Sequence, residues 1–327
     1  MKSRKFYTNL ASPIDSLFSK MPYKGRGWQV EFGPNLELED GAIYYYTNKG
    51  KPTPPKHIVI RAVSEETAKN AVDLILAASC MVNEDCGDAL KPDNEHVFLW
   101  SENSDNQKII YNLDNQPLVS EYQFACLVAT RASSRKSFQY ALMKYKLSQQ
   151  LFNTRIDILD LAKWNPKKFV FNSALHHVRC AQAIALGYSV IEEIGLEIRA
   201  TQKNPSFING TWNPSVKTDL EQRLINSGIN LSEKASWTMR DTPTKIERNR
   251  KVLKVGKASW AYRKVRDSEI EVVDAIAHAS WLRSKISAHR LHEISTSLNY
   301  YDVSNMHYLS RRLFLESLGL WHPQKDE

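Results

Sequence analysis

The pattern of apolar and turn-forming residues changes near residue 115, and this change constrains the fold more than any other feature of the chain. Before it, short runs rich in β-branched and aromatic residues alternate with turns containing Gly, Pro and Asn, which is typical of strands. After it, long stretches carry apolar residues at helical spacing with few breaks. The sequence therefore predicts an α+β fold: a small mixed α/β sheet domain at residues 1–116, followed by an all-helical bundle at residues 117–327.

Individual elements follow from local signals. Ser64 precedes two glutamates and predicts a helix start, because its side chain can accept a hydrogen bond from a free N–H group of the first turn. Asn172 or Ser173 can cap a long helix that continues to Arg199. Strands are predicted at residues 28–32, 42–47, 57–63, 97–100 and 108–111, and helices at residues 68–81, 120–132, 134–152, 215–225 and 304–318.

The totals exclude several classes of protein. The 327 residues suffice for two domains, and the apolar content of 42% with 24% charged residues is typical of a globular protein. No apolar run is long enough for a membrane span or a signal peptide, so we expect a cytoplasmic protein without a membrane partner. Four scattered cysteines predict neither a disulfide framework nor a metal site, and no glycine-rich phosphate loop is present. We therefore expect no metal and no cofactor.

Positive charge is concentrated in the C-terminal part of the chain. Residues 1–120 contain 13 Lys and Arg and 16 Asp and Glu, whereas residues 121–327 contain 31 and 20. Residues 240–266 form a basic strip in which cations could neutralise phosphates and aromatic rings could stack on bases. The alternative is a solvated surface with Trp260 in the core. The candidate nucleic-acid-binding residues are Arg250, Lys251, Lys254, Lys257, Trp260, Arg263 and Lys264.

The best candidates for chemistry are an arginine and a histidine near the end of one helical stretch. Residues 270–294 contain no Pro or Gly, and at 100° per residue Arg283 projects beside Val272 and Ile276, inside an apolar arc. His289 falls about 120° away from Arg283 on such a helix. Because desolvating a guanidinium is costly, Arg283 is expected to have a carboxylate or phosphate partner.

Two interpretations of Arg283 are open at this stage. In the first, Arg283 and His289 border one cleft and act on a phosphodiester. In the second, Arg283 forms a structural ion pair with an acidic residue of a neighbouring helix, such as Glu192 or Glu193, and His289 is an ordinary surface histidine.

The pair and its surroundings resemble the HEPN superfamily, whose signature is Arg, a polar residue, three to five further residues, and His. Arg283, Ser284 and His289 match this pattern, although asparagine, aspartate or histidine is commoner than serine at the polar position. The long apolar helix at residues 181–199, placed before the Arg/His helix, also resembles the core of these domains. The resemblance covers residues 120–327.

The resemblance implies a metal-independent endoribonuclease of a defence or toxin type. His289 would act as general acid or base, Arg283 would hold the phosphate, and Ser284 would be a supporting polar position. Two chains would form a homodimer with a composite cleft, RNA would be the substrate, and the N-terminal domain would bind a regulatory ligand or protein. The alternative is a noncatalytic helical module that binds RNA or a protein through the basic strip.

Overall fold

The computed structural model describes residues 3–15, 18–35, 45–46, 52–82, 97, 99–101, 118–152, 174–240, 265–288, 298 and 300–321. The chain forms two compact units, Met1–Met143 and Lys144–Glu327. Sheet and helices are both present, so the predicted α+β class is confirmed. The division between the units lies inside a helix, later in the chain than the predicted boundary between residues 116 and 117.

The first unit is built on a six-stranded sheet in which every pairing is antiparallel except that of the last strand. Ile60 lies opposite both Phe6 and Val30, and all three side chains are buried. The strand order is β2-β3-β6-β1-β7, with β8 beside β1; the strands are β1 (Arg4–Ser12), β2 (Lys24–Gly25), β3 (Trp28–Asn35), β6 (Lys56–Ala62), β7 (Leu99–Ser101) and β8 (Leu118–Val119). Two short strands, β4 (Tyr45–Tyr46) and β5 (Pro52–Thr53), pair separately.

Two helices of the first unit, α1 (Glu65–Val82) and α2 (Tyr122–Ala132), pack against each other and against the sheet. The predicted cap of α1 is confirmed, because the Thr67 N–H donates to the Ser64 hydroxyl at 3.2 Å. The predicted strands at residues 28–32 and 57–63 correspond to β3 and β6. The predicted strand at residues 108–111 lies outside the described residues.

The second unit is mainly helical, but it also contains strands, which the prediction of an all-helical bundle did not include. Two antiparallel pairs of strands lie within it: β9 (Phe207–Ile208) with β10 (Thr211–Trp212), and β11 (Ala235–Arg240) with β12 (Val265–Ile270). The Asn209-Gly210 turn, with positive φ angles of 50° and 81°, joins the first pair. The helices among its described residues are α3 (Lys136–Leu151), which contains the boundary between the units, α4 (Ala174–Glu193), α5 (Pro214–Asn226), α6 (Val272–Ala288) and α7 (Tyr300–Ser317).

Helix α7 packs against α4, α6 and β11 at the centre of the second unit. Its apolar side chains, among them Leu309 and Leu313, are fully buried in a core shared with α4 and α6. Gly187 lets α4 approach α7 closely, because a Cβ atom at that position would lie 2.6 Å from Cγ of Met306. No helix among the described residues combines the length and apolar character needed to cross a membrane.

A buried polar network also joins α3, α4 and α7. The Ser148 hydroxyl donates to the Ala183 carbonyl at 2.7 Å and lies 2.7 Å from Nε2 of His307. Because the single hydroxyl proton of Ser148 is used in the first contact, Nε2 of His307 must donate in the second. The hydroxyl of Tyr145 donates to the His307 carbonyl at 3.4 Å. These bonds fix the mutual register of three helices.

A second network holds the loop before β11 against α7. The side chain of Arg312 is fully buried, and its Nε donates to Oε1 of Glu316 at 2.8 Å. Its two terminal nitrogens donate to the carbonyls of Lys234 and Glu233 at 2.7 and 2.9 Å. The other oxygen of Glu316 accepts the Asn230 N–H at 2.9 Å. Both charges are therefore paired and hydrogen-bonded, as a buried ion pair requires.

Candidate active site around Arg283

The helix that carries Arg283 changes character along its length. α6 begins where the Glu271 carbonyl accepts hydrogen bonds from the N–H groups of Asp274 and Ala275. Every side chain from residue 272 to residue 279 is buried. After that point, Leu282 is buried, whereas Arg283 and Ser284 are exposed. The first half of α6 is thus a core helix, and the second half has one face open to water.

The structure corrects the predicted position of Arg283. Its side chain is 44% exposed rather than enclosed in an apolar arc with Val272 and Ile276. The prediction assumed one buried stripe along the whole helix, but the first half of α6 is buried on all sides. Asp274, which lies on the side of the helix opposite Val272, is also buried and accepts a hydrogen bond from Nε1 of Trp212 at 2.8 Å.

Arg283 forms an ion pair with Glu192, one of the two acidic partners that the second interpretation offered, whereas the part of that interpretation that concerns His289 lies outside the described residues. Nη2 of Arg283 lies 3.2 Å from Oε1 of Glu192, which belongs to the last turn of α4. The second candidate partner, Glu193, instead pairs with Lys144 at 2.6 Å. Ion pairs with this much exposure contribute about 1 kcal/mol or less, because water screens them. Glu192 therefore holds Arg283 weakly.

The polar position next to Arg283 makes a local contact. Ser284 is exposed, and its hydroxyl donates to the Trp281 carbonyl at 2.7 Å. The hydroxyl proton is thereby used within the helix, so the Ser284 oxygen can only accept a hydrogen bond from a substrate. Any supporting role of Ser284 is therefore limited to accepting a hydrogen bond from the substrate.

Several predicted site residues lie outside the described residues. His289 follows directly after Ala288, the last residue of α6, and is one of them. The other residues are the members of the basic strip, namely Arg250, Lys251, Lys254, Lys257, Trp260, Arg263 and Lys264. Of the predicted functional residues, Arg283 and Ser284 are described, and they are neighbours on α6.

A tyrosine lies close to the ion pair. Tyr188 is on α4, one turn before Glu192, and is 3% exposed. Burial raises the pKa of its hydroxyl, a hydrogen bond with Ser280 of α6 opposes the rise, and the charge of Glu192 adds to it. Tyr188 therefore stays neutral, and its hydrogen bond with Ser280 links α4 to α6.

Sequence reasoning missed a buried group of polar side chains on the same helices. His278 of α6 is 3% exposed, its Nε2 lies 3.9 Å from Oδ1 of Asp302 on α7, and its ring makes an edge contact with Trp237 at 5.1 Å between centroids. Burial raises the pKa of the Cys180 thiol well above its usual value, and the charge of Asp302 adds to the rise. All three groups are buried where α4, α6 and α7 pack together.

No sequence signal could have found this group, because its members are widely separated in the chain and only the packing of three helices brings them together.

Among the described residues, no three His, Cys, Asp or Glu side chains are arranged to hold a metal ion. Comparisons with known proteins identify no relative: no family model, no curated protein and no solved structure matches the chain.

Proposed function

We propose that the second unit is a metal-independent endoribonuclease domain of a defence or toxin type, in which Arg283 binds the scissile phosphate of RNA. The observation that supports this proposal is the position of the guanidinium, which is 44% exposed on the open half of α6 and has a weak partner. A planar guanidinium presents two parallel N–H donors to two phosphate oxygens. It can offset the charge that builds up on those oxygens in the transition state.

His289 supplies the proton transfer in this proposal. An imidazole titrates near neutral pH, so it can take a proton from the ribose 2′-OH or give one to the leaving 5′-oxygen. The 2′-oxygen then bonds to phosphorus, and the bond from phosphorus to the 5′-oxygen breaks. One histidine cannot serve as both acid and base in the same step. The proposal therefore includes a homodimer whose cleft combines two copies of Arg283 and His289.

The net positive charge of residues 121–327 supports RNA as the substrate. These residues contain 31 Lys and Arg against 20 Asp and Glu. Such an excess attracts a polyanion and raises its local concentration. In this proposal the first unit binds a ligand or protein that regulates cleavage, as the resemblance to defence proteins implies.

The pairing of Arg283 with Glu192 favours a second candidate function, a noncatalytic module that binds RNA or a protein. In that case the ion pair would only stabilise the contact between α4 and α6. The two functions differ in whether Arg283 is needed for the breakage of a phosphodiester bond.

The experiment is a cleavage assay on labelled single-stranded RNA with EDTA present. We expect Arg283→Ala to lower the cleavage rate at least a hundredfold, because one donor to the transition-state charge is worth about two to three powers of ten. Lys285→Ala is the matched control, since it removes the same charge from the same helix, and it should change the rate less than about threefold. No cleavage by the wild type would support the binding module, and equal measurable rates for the wild type and Arg283→Ala would show that Arg283 does not take part in cleavage.

A further inference from the structure

The carboxylate of Glu192 is held in place by contacts to both of its oxygens. Oε1 lies 3.2 Å from Nη2 of Arg283, and Oε2 accepts a hydrogen bond from the Ser189 hydroxyl at 3.3 Å. Ser189 and Glu192 are one turn apart on α4, so the helix itself sets the direction of the carboxylate. Glu192 thus presents a fixed negative charge to the exposed guanidinium.

The neighbouring carboxylates contact other cations. Glu193 pairs with Lys144 at 2.6 Å, and Glu197 pairs with Arg199 at 2.9 Å. Of these three carboxylates at and just beyond the end of α4, Glu192 is the one that pairs with Arg283. Glu193 provides a comparison, because it carries the same charge on the same turn of the helix and pairs with Lys144 instead.

A carboxylate and a phosphodiester are alternative ligands for one guanidinium. Each carries a single negative charge and offers two oxygens that match the spacing of the guanidinium N–H donors. Arg283 and Glu192 are 44% and 32% exposed, so water screens their attraction and an incoming anion can replace the carboxylate. A phosphate that binds Arg283 through Nη2 therefore competes with Glu192 for that nitrogen.

We propose that Glu192 occupies the phosphate position on Arg283 in the free protein and thereby lowers its affinity for RNA. This inference rests on the proposed function. Glu192 acts as a competing anion within the protein. An RNA binds Arg283 only if its other contacts with the protein are strong enough to displace Glu192. Removing its charge should increase RNA affinity, which is the opposite of what a residue that only stabilises the fold would do.

The test measures binding without cleavage. The probe is a fluorescent single-stranded 2′-O-methyl RNA, which lacks the attacking hydroxyl, and its anisotropy is followed with the full chain. Glu192→Gln should lower the Kd about three- to fivefold, the range that corresponds to losing one exposed ion pair. Glu193→Gln, which removes an equal charge one residue further on, should stay within about twofold of the wild type.

The double variant Glu192→Gln/Arg283→Ala shows whether the effect passes through Arg283. We expect no gain over Arg283→Ala alone, because the competitor has nothing left to compete for. An increase in RNA affinity that persists without Arg283, or an equal increase in Glu193→Gln, would overturn the inference. Either result would show that Glu192 affects binding only through its general negative charge.

The same data separate this inference from the proposed function. If Arg283→Ala weakens binding but Glu192→Gln leaves it unchanged, the inference fails and the role of Arg283 stands. If no variant, including Arg283→Ala, differs from the wild type in RNA binding, both fail together.

Discussion

Arg312→Met is expected to lower the free energy of unfolding of the second unit by about 3–5 kcal/mol, since it leaves a buried charge without its partner. The side chain of Arg312 is fully buried, and Glu316 is 5% exposed in its side chain. The substitution also removes the donors to the carbonyls of Lys234 and Glu233. Denaturant unfolding followed by tryptophan fluorescence measures the loss, because Trp237 is buried in the same unit.

The control for this prediction removes both charges. Arg312→Met/Glu316→Leu should be more stable than Arg312→Met, because no unpaired charge stays buried. The loop carbonyls still lose their donors, so we expect only partial recovery. A loss below about 1 kcal/mol in the single variant would show that the network contributes little to stability.

The second large effect concerns His289. His289→Ala should lower the rate of RNA cleavage by about a hundred- to ten-thousandfold, the usual contribution of a general acid or base. The rate of the wild type should depend on pH near the ordinary pKa of imidazole, about 6.5, and His289→Ala should lose that dependence. A pH series of initial rates measures both quantities.

His292→Ala serves as the matched control, because it removes the same side chain three residues further along the sequence. It should keep a rate within about threefold of the wild type and the same pH profile. A loss as large as that of His289→Ala would assign the effect to folding of this segment rather than to proton transfer at His289.

Elements with strong local signals could be predicted from the sequence. The cap at Ser64 and the helix after it are present, as are α2, α5 and α7 with shifts of a few residues at their ends. These elements depend on interactions within one or two turns of helix, which the sequence records directly. Helix α4 ends at Glu193, six residues before the predicted end at Arg199. Gly195, two residues after this end, has a positive φ of 77°, a conformation that is common just after a helix.

Strand β1 was not predicted, although it lies inside the main sheet between β6 and β7. The reason is its buried polar residues: Thr8, Asn9 and Ser12 are at most 1% exposed. Thr8 donates to the Ile58 carbonyl at 2.8 Å, so its hydroxyl is satisfied inside the sheet. In the sequence, such residues resemble a turn, because the partners that compensate for their burial are distant in the chain.

Strands β11 and β12 were missed for a related reason. Trp237 pairs with Ser268 and Ala235 with Ile270, across an intervening stretch at residues 241–264 that lies outside the described residues. The sequence of β12, VRDSEI, has the polarity of a surface loop. Pairing over this separation is a tertiary effect that local patterns do not contain.

At the candidate site, too, local features could be predicted from the sequence, whereas features that depend on tertiary packing could not. Because a guanidinium requires a partner, the sequence offered Glu192 or Glu193 as one possible partner for Arg283, and the structure shows the contact with Glu192. The sequence failed to predict the exposure of Arg283, since burial of the first half of α6 depends on α7, α4 and β11 packing around it. A single helical wheel cannot describe α6, because its first half is buried on all sides and its second half has one exposed face.

The most direct test of RNA cleavage by this chain is the chemical identity of the ends it produces. Purified wild-type protein is incubated with RNA in EDTA, and the fragments are analysed by mass spectrometry. Attack by the 2′-oxygen predicts a 2′,3′-cyclic phosphate on one fragment and a 5′-hydroxyl on the other, with neither produced by His289→Ala. Intact RNA, or fragments that carry 5′-phosphates, would contradict the account.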